Sequence, residues 1–166
     1  PGYEGDEEAL HAEILRDLDA VERLDHDRIL RNQLGLIDAT VRTNVYRRGR
    51  GAMAFKLRSA AVPAIPLPAP LYEIYVYAPE VEGIHLRGGK IARGGLRWSD
   101  RMDYRTEVFG LMRAQMTKNA VIVPDGAKGG FYLRRRPDDP AALKAEVERG
   151  YVTFISGLLD LTDNLV

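Results

Sequence analysis

Residues 71–86 read LYEIYVYAPEVEGIHL, and they decide the fold of the chain. Residues 71–78 alternate in the manner of a β-strand and are rich in aromatic and β-branched side chains. Residues 81–86 predict a further, shorter strand, and residues 52–60 predict one upstream. Between the strands at residues 52–60 and 71–78, residues 63–70 contain four prolines in eight positions, which indicates a stiff, non-helical connection. The middle of the chain is therefore predicted to form a sheet.

Two amphipathic helices are predicted upstream of these strands, because apolar residues recur at steps of three and four. In the first helix these residues are Leu10, Ile14, Leu18, Val21 and Leu24. In the second helix they are Leu30, Leu34, Ile37, Val41 and Val45. Asp25 is the expected N-terminal cap of the second helix, and the basic, glycine-containing run at residues 47–51 is expected to end it. We expect the two helices to form an antiparallel pair.

Downstream of the strands the pattern becomes helical again. We expect a helix that begins near Asp100 or Asp103 and runs to about residue 120, followed by a short buried strand at residues 121–123. Residues 124–130 predict a turn that leads into another strand, and Pro140 opens a final helix that continues to the end of the chain. Together these elements indicate an α/β (α+β) fold, in which a helical pair precedes a mixed sheet with flanking helices.

The composition excludes several classes of function. The 166 residues carry 24 basic and 24 acidic side chains, so no net positive field draws the chain to nucleic acid or to an anionic membrane. The chain has no cysteine and only three histidines, far apart in sequence, which argues against disulfides, thiol catalysis and a zinc site. No apolar stretch is long enough to span a membrane. We expect a cytoplasmic protein that binds neither nucleic acid nor membrane, and that is too short to hold both a dinucleotide-binding and a substrate domain.

Two glycine-rich segments carry the residues most suited to chemistry: GGKIARGGLRW at 88–98 and QMTKNAVIVPDGAKGGF at 115–131. Glycine pairs allow close backbone approach, and a cation beside such a pair can reach a bound anion. Gln115 and Lys118 are three residues apart, so on a helix they project from the same face. With Lys128, they predict an anion-binding site.

These segments have two other possible interpretations, a phosphate-binding loop and a purely structural role. The sequence argues against a phosphate-binding loop, because neither segment matches the Walker pattern and no G-x-G-x-x-G links a strand to a helix. In a purely structural interpretation, the glycines make turns and the lysines extend into solvent. The combination of two glycine pairs, each preceded by a cation, with a Gln-x-x-Lys helix face favours a site.

The amino-acid sequences of these segments resemble those of a known family. RGGLRWSDR at 93–101 and FGLMRAQMTKNAVIVPDGAKGGF at 109–131 are similar to the large NAD-specific glutamate dehydrogenases of the amino-acid dehydrogenase superfamily. Residues 1–50 carry no motif of the family and are expected, from their periodicity, to form a helical N-terminal segment. The resemblance implies that residues 51–166 form the first part of the substrate-binding domain. It also implies that NAD is bound by a Rossmann domain that is absent from this chain.

The resemblance implies a role for each residue of the glycine-rich segments. Lys128 matches the catalytic lysine, the general base for the water that attacks the imino acid. Lys118 matches the lysine that binds the substrate α-carboxylate, and Gln115 matches its polar helper. The interval between Lys118 and Lys128 is slightly shorter than in compact members of the family, so the turn between them is expected to be tighter.

Arg93, followed by Gly94 and Gly95, matches the position that binds the side-chain carboxylate of glutamate. Compact members of the family have lysine here, and arginine retains the charge while adding a planar fork suited to a carboxylate. Relatives that act on apolar amino acids carry an apolar residue at this point, so Arg93 favours an acidic substrate. Arg97 and Arg113 are alternative holders of the same carboxylate.

The implied function is NAD-dependent oxidative deamination of L-glutamate to 2-oxoglutarate and ammonia, by a larger homo-oligomeric enzyme of which this chain is an inactive part when alone. The catalytic aspartate of the family has no matching context in the chain, and neither Asp160 nor Asp163 is assigned to that role. Two alternatives stay open. One is a dehydrogenase for another amino acid, and the other is a truncated, non-catalytic binding module.

Overall fold

A seven-stranded sheet is the centre of the fold in the computed structural model, which describes residues 5–47, 49, 51–63, 65–118 and 125–162. The strands are β1 (Thr40–Thr43), β2 (Met53–Arg58), β3 (Tyr72–Tyr77), β4 (Val81–Arg87), β5 (Ala92–Arg93), β6 (Leu96–Ser99) and β7 (Asp125–Leu133). The described α-helices are α1 (Glu7–Asp19), α2 (Leu24–Ala39), α3 (Tyr104–Lys118) and α4 (Pro140–Asp160), with a short 3-10 turn at Ser59–Ala61. The predicted fold class, a mixed sheet with helices, is confirmed.

Strand β7 joins the antiparallel part of the sheet to its parallel part. Strands β1, β2, β3, β4 and β7 are antiparallel neighbours in that order. On its other side β7 pairs with β5 and β6, and both of these pairings are parallel. The parallel pairing of β6 with β7 is possible because α3 crosses between them along one face of the sheet.

The two faces of the sheet bury different helices. One face packs on α4, where Phe131 and Phe154 are fully buried and the missing side chain of Gly83 makes room for the Phe154 ring. The other face packs on α3, with Leu86 and Val108 in its core. Because side chains alternate along a strand, every second residue of β7 faces α3. We name these two surfaces the α4 face and the α3 face.

The predicted pair of N-terminal helices is confirmed. The ring Nε2 of His11, near the start of α1, lies 3.1 Å from the Asp38 carboxylate near the end of α2, as an antiparallel pair requires. Arg31 of α2 also binds Asp19 at the end of α1, at 2.7 Å. Asp25 is not the cap of α2: the capping position is Arg23, and Asp25 lies in the first turn, where Arg23 binds its carboxylate.

The predicted length of the second helix is wrong. It ends at Ala39, and the next four residues form β1 instead of continuing the helix to Val45. In this segment Thr40 is paired with Leu57 and Thr43 with Phe55 on β2. Three of the four β1 residues are β-branched, so sheet pairing outweighs the apolar periodicity that suggested a helix.

The predicted turn at residues 124–130 is also wrong, because β7 begins at Asp125 and includes the glycine-rich segment. Glycine is poor in isolated strands, but here β4 pairs on one side and β5 and β6 on the other, and these ladders hold the backbone extended. Strands β5 and β6 lie in and after the other glycine-rich segment, and the sequence did not predict them. The predicted strand at 121–123 and the ends of the two predicted downstream helices lie outside the described residues.

Helix length and polarity bear on membrane insertion. None of the helices in the described part of the chain combines the length and the apolar character that crossing a bilayer requires.

Candidate functional site

Lys128 lies in the middle of β7 and is half-buried. Its cross-strand partner on β4 is Leu86, a core residue of the α3 face, so the lysine side chain belongs to that face as well. The residues two positions away on the same face are Gly126 and Gly130, which pack closely under Met116 and Val108 of α3. Lys128 is therefore the one long side chain in a stretch of β7 over which the helix lies close to the backbone.

The connection between β5 and β6, Gly94 and Gly95, runs alongside Lys128. Arg93 is in register with Gly126, and Gly129 donates its N–H to the Gly95 carbonyl at 3.1 Å. A Cβ at Gly94 would overlap the carbonyl oxygen of Ala127, whereas a Cβ at Gly95 would meet nothing within 4 Å. Gly94 is thus required for close backbone approach beside the lysine, and Gly95 borders open space.

Replacing Gly94 by alanine is expected to destabilise the protein, because its Cβ would strike backbone that has no free rotation to relieve the clash. A cost of about 1–3 kcal/mol is typical of such overpacking. For a chain of this size, Tm falls by roughly 2–4 °C for each kcal/mol. Thermal unfolding followed by circular dichroism measures the change. The matched control, Gly95→Ala, should change stability by less than about 0.5 kcal/mol. Equal Tm values for the two variants would contradict the packing argument.

Gln115 links α3 to the strand that carries Arg93. Its side-chain Nε2 donates to the Arg93 carbonyl at 2.8 Å, and its Oε1 is buried with no hydrogen-bond partner among the described residues. Lys118 is the last residue of α3, one turn after Gln115, and is exposed. Arg93, Gln115, Lys118 and Lys128, which lie in two separate segments of the sequence, are thus carried by β5, α3 and β7, with β5 paired to β7 and α3 packed on β7. We call these four residues the cluster.

The cations of this cluster lack carboxylate partners. Within the described residues, no ion pair joins Arg93, Lys118 or Lys128 to an acid. Positive side chains on contacting elements repel one another, and an anion bound between them relieves that repulsion. The arrangement is suited to a ligand with more than one carboxylate.

The two alternative arginines are engaged elsewhere. Arg97 binds the Glu107 carboxylate at 3.0 Å, and the Ser99 hydroxyl donates to the other oxygen of the same carboxylate at 2.8 Å. Arg113 lies over the Phe109 ring, 5.9 Å from its centroid. Among these three arginines, Arg93 is the one with neither a carboxylate nor an aromatic ring against it in the described residues.

A buried acid shares the α3 face with Lys128 but is already paired. Glu73 on β3 lies opposite Leu86, which lies opposite Lys128, so two strand spacings, or about 10 Å, separate the two positions. Both Glu73 carboxylate oxygens accept from Arg105 Nη2, at 2.8 and 2.9 Å. The acid therefore balances Arg105 and does not serve as the partner of the lysine. The sequence did not predict this pair, because neither residue has a local signal of burial.

Asp160 is a structural residue. Its side chain is 8% exposed and accepts from Asn44 at 2.8 Å and from Arg47 at 3.0 Å. Asp160 belongs to α4, on the sheet face opposite Lys128. Its position therefore gives no reason to assign it as the catalytic aspartate. Asp163 lies outside the described residues.

His85 is a half-buried histidine next to the site, and nothing in the sequence indicated its position there. It lies opposite Gly129 on the α4 face, and its Nδ1 has no partner among the described residues. Burial, with a smaller contribution from the Arg87 charge, lowers the pKa of His85 to about 4. The ring is therefore neutral at pH 7 and adds no further positive charge behind Lys128. A single histidine in an alternating strand gives no sequence signal for this placement.

The described residues do not fit a dinucleotide. The one parallel crossover, from β6 through α3 to β7, has the turn DRMD at 100–103, which contains no glycine. Asp103 precedes the first turn of α3 and is bound by Arg101, so an acid occupies the place where a pyrophosphate would need free backbone N–H groups. The same residues contain no group of three or more acids or histidines placed to hold a metal ion.

Comparison with known proteins shows extensive similarity to one family. Residues 13–166 match the family described as bacterial NAD-glutamate dehydrogenase, catalytic domain. Proteins named NAD-specific glutamate dehydrogenase from Pseudomonas aeruginosa and Halomonas elongata are 55% and 56% identical to this sequence, over 98% and 100% of the chain. A protein of the same name from Mycobacterium tuberculosis is 53% identical over 96% of the chain. The chain spans only 10% to 11% of the length of these three relatives.

Proposed function

Because the chain belongs to the catalytic-domain family of bacterial NAD-glutamate dehydrogenases, we propose that it supplies the substrate clamps and the general base of a longer glutamate dehydrogenase. The overall reaction converts L-glutamate, NAD⁺ and water into 2-oxoglutarate, ammonium, NADH and a proton. The observation that carries the proposal is the cluster of Arg93, Lys118 and Lys128, three cations without carboxylate partners in the described residues.

The two outer cations of the cluster are suited to the two carboxylates of glutamate. Arg93 binds the side-chain carboxylate through its guanidinium fork, and Lys118 binds the α-carboxylate as a compact charge. Gln115 completes the set as a polar group one turn from Lys118. Gly94 allows the β5–β6 connection to lie against β7, and Gly95 borders open space in which the substrate approaches Lys128.

Lys128 acts as the general base in this proposal. When its amine is unprotonated, Nζ accepts a proton from the water molecule whose oxygen attacks the imino carbon of the oxidised substrate. The strand that carries Lys128 is paired on both sides, which fixes the backbone from which the side chain extends.

The remaining chemistry belongs to other parts of the longer enzyme. NAD supplies the hydride acceptor when bound, and we assign neither its site nor the catalytic aspartate to the described residues. The chain by itself is therefore expected to be inactive. The family resemblance extends the proposal to a cytoplasmic homo-oligomer.

The test of the proposed function is the substrate profile of the full-length protein. We expect NADH formation that depends on L-glutamate, with a kcat/KM well above the values for leucine, valine and phenylalanine. NADH absorbance follows the reaction, and chromatography identifies 2-oxoglutarate as the product. A preference for an apolar amino acid would support the alternative of another amino-acid dehydrogenase, and no turnover with any amino acid would support a non-catalytic module.

A further inference from the structure

Helix α3 runs antiparallel to β7 across the α3 face, and its side chains meet the strand at regular steps. A Cβ at Gly130 would lie 2.5 Å from Val108 Cγ2, and a Cβ at Gly126 would lie 3.1 Å from Met116 Cγ. The two helix contacts are separated by about 12 Å along the helix axis, and the two glycines by about 13 Å along the strand. Four helix residues therefore match two strand residues.

An aromatic pair extends the same register beyond the glycines. The ring of Tyr104 is stacked on the ring of Tyr132, with the centroids 6.3 Å apart and the planes at 6° to each other. This pair lies one step beyond the Val108 contact, four residues earlier in α3 and two residues later in β7. The step between the two glycine contacts places Met112 over Lys128.

Met112 lies where it closes the space over the lysine stem. Its side chain is fully buried, in the same hydrophobic core as Leu86, the cross-strand partner of Lys128. The lysine is thus bounded by Met112 on the helix side and by Leu86 on the β4 side. On its third side runs the connection between β5 and β6, where a Cβ at Gly95 would meet nothing within 4 Å. The open side of Lys128 is therefore the one toward Gly95.

A lysine needs such boundaries if its amine is to act at one place. Its four-carbon stem is flexible, so a fixed backbone alone leaves Nζ many positions. Methionine is suited to the boundary, because its unbranched side chain fills an irregular space without adding a charge or a strong hydrogen-bonding group.

We propose that Met112 is a positioning residue for Lys128: it occupies the space on the α3 side of the lysine stem and directs Nζ toward the open space at Gly95. This inference rests on the proposed function, in which Lys128 is the general base. Shortening Met112 leaves the base in the protein but lets its stem fold into the vacated space under α3.

Met112→Ala in the full-length enzyme tests the inference. We expect kcat for glutamate to fall about tenfold, since misplacing a catalytic group by about 1 Å can cost up to 10²-fold. KM should change by less than about twofold, because the carboxylate clamps Arg93 and Lys118 are retained. Met112→Leu nearly conserves the side-chain volume and should restore kcat to within about twofold of the wild-type value. Steady-state kinetics below the measured Tm of each variant gives both constants.

Leu133→Ala is the matched control for lost packing. Leu133 is a fully buried residue of the same strand, but it belongs to the core of the α4 face. This variant should lower Tm to a similar extent and leave kcat within about twofold of the wild-type value. A fall of kcat as large as that of Met112→Ala would overturn the inference. Met112→Val, a milder truncation, serves if the alanine variant does not fold, and an unchanged kcat in it would equally overturn the inference.

A double-mutant cycle with Lys128→Ala shows whether Met112 acts through the lysine. If it does, adding Met112→Ala to Lys128→Ala leaves the residual kcat where Lys128→Ala alone sets it. A further fall in the double variant would contradict the inference. A wild-type enzyme that does not oxidise glutamate, or Lys128→Ala at the wild-type rate, would reject the proposed function itself. Full kcat in Met112→Ala beside an impaired Lys128→Ala would reject only the inference.

Discussion

Replacing Lys128 by alanine in the full-length enzyme is expected to lower kcat for glutamate by about 10²–10⁴-fold, the usual contribution of a positioned general base. The reason is that Lys128 is the cation at the centre of the cluster, on a strand that β4, β5 and β6 hold in place. Stopped-flow and steady-state kinetics measure the loss. Binding of NAD, followed by fluorescence titration, should be nearly unchanged, because the described residues do not form a dinucleotide site.

The control for this prediction is Lys144→Ala, which removes an exposed lysine of α4 on the other side of the sheet. It changes the net charge by the same amount and should leave kcat within about twofold of the wild-type value. Lys128→Met, which retains the length of the buried stem, should reproduce the loss seen with alanine. Turnover of the Lys128 variants at the wild-type rate would remove Lys128 from the mechanism.

The second large effect is a change of substrate preference on replacing Arg93 by leucine. We expect kcat/KM for glutamate to fall by about 10²-fold, near the upper end for hydrogen bonds between charged groups. The value for L-norvaline, whose side chain ends in a methyl group in place of the carboxylate, should stay the same or rise, because an apolar side chain no longer lies against an unpaired guanidinium. Competition between the two amino acids in one assay measures the ratio directly.

Arg113→Leu is the matched control for Arg93→Leu, since Arg113 was an alternative holder of the same carboxylate and lies over Phe109. We expect this variant to retain the preference for glutamate. If Arg113→Leu shifts the ratio and Arg93→Leu does not, the side-chain carboxylate binds on the outer surface of α3 and not beside β5.

The local elements that the sequence predicted correctly are those whose signal is contained in neighbouring residues. The strand at residues 71–78 corresponds to β3, and the helix that opens at Pro140 begins at that residue, capped by Asp139. In each case the period of the side chains, or a residue at a helix start, is sufficient to select the conformation.

The predictions that failed depended on contacts between distant segments. Residues 40–43 continue the apolar period of a helix, but β2 pairs with them and they form a strand. The glycine run at 126–130 has the composition of a turn, yet β4 and β6, two strands that precede α3 in the chain, pair with it on either side. A window of sequence does not contain the partner strand, so its effect could not be predicted.

For the candidate site, too, the sequence and the tertiary structure determined different properties. The amino-acid sequence by itself determined which residues are available: a lysine within G-A-K-G-G, an arginine before a glycine pair, and a Gln-x-x-Lys helix face. Only the tertiary structure decided that Lys128 is on a strand, that Arg97 is paired with Glu107, and that Gln115 holds the Arg93 carbonyl. The physical reason is that residue type sets what a side chain can donate, accept or neutralise, whereas its partner depends on which strands and helices pack together.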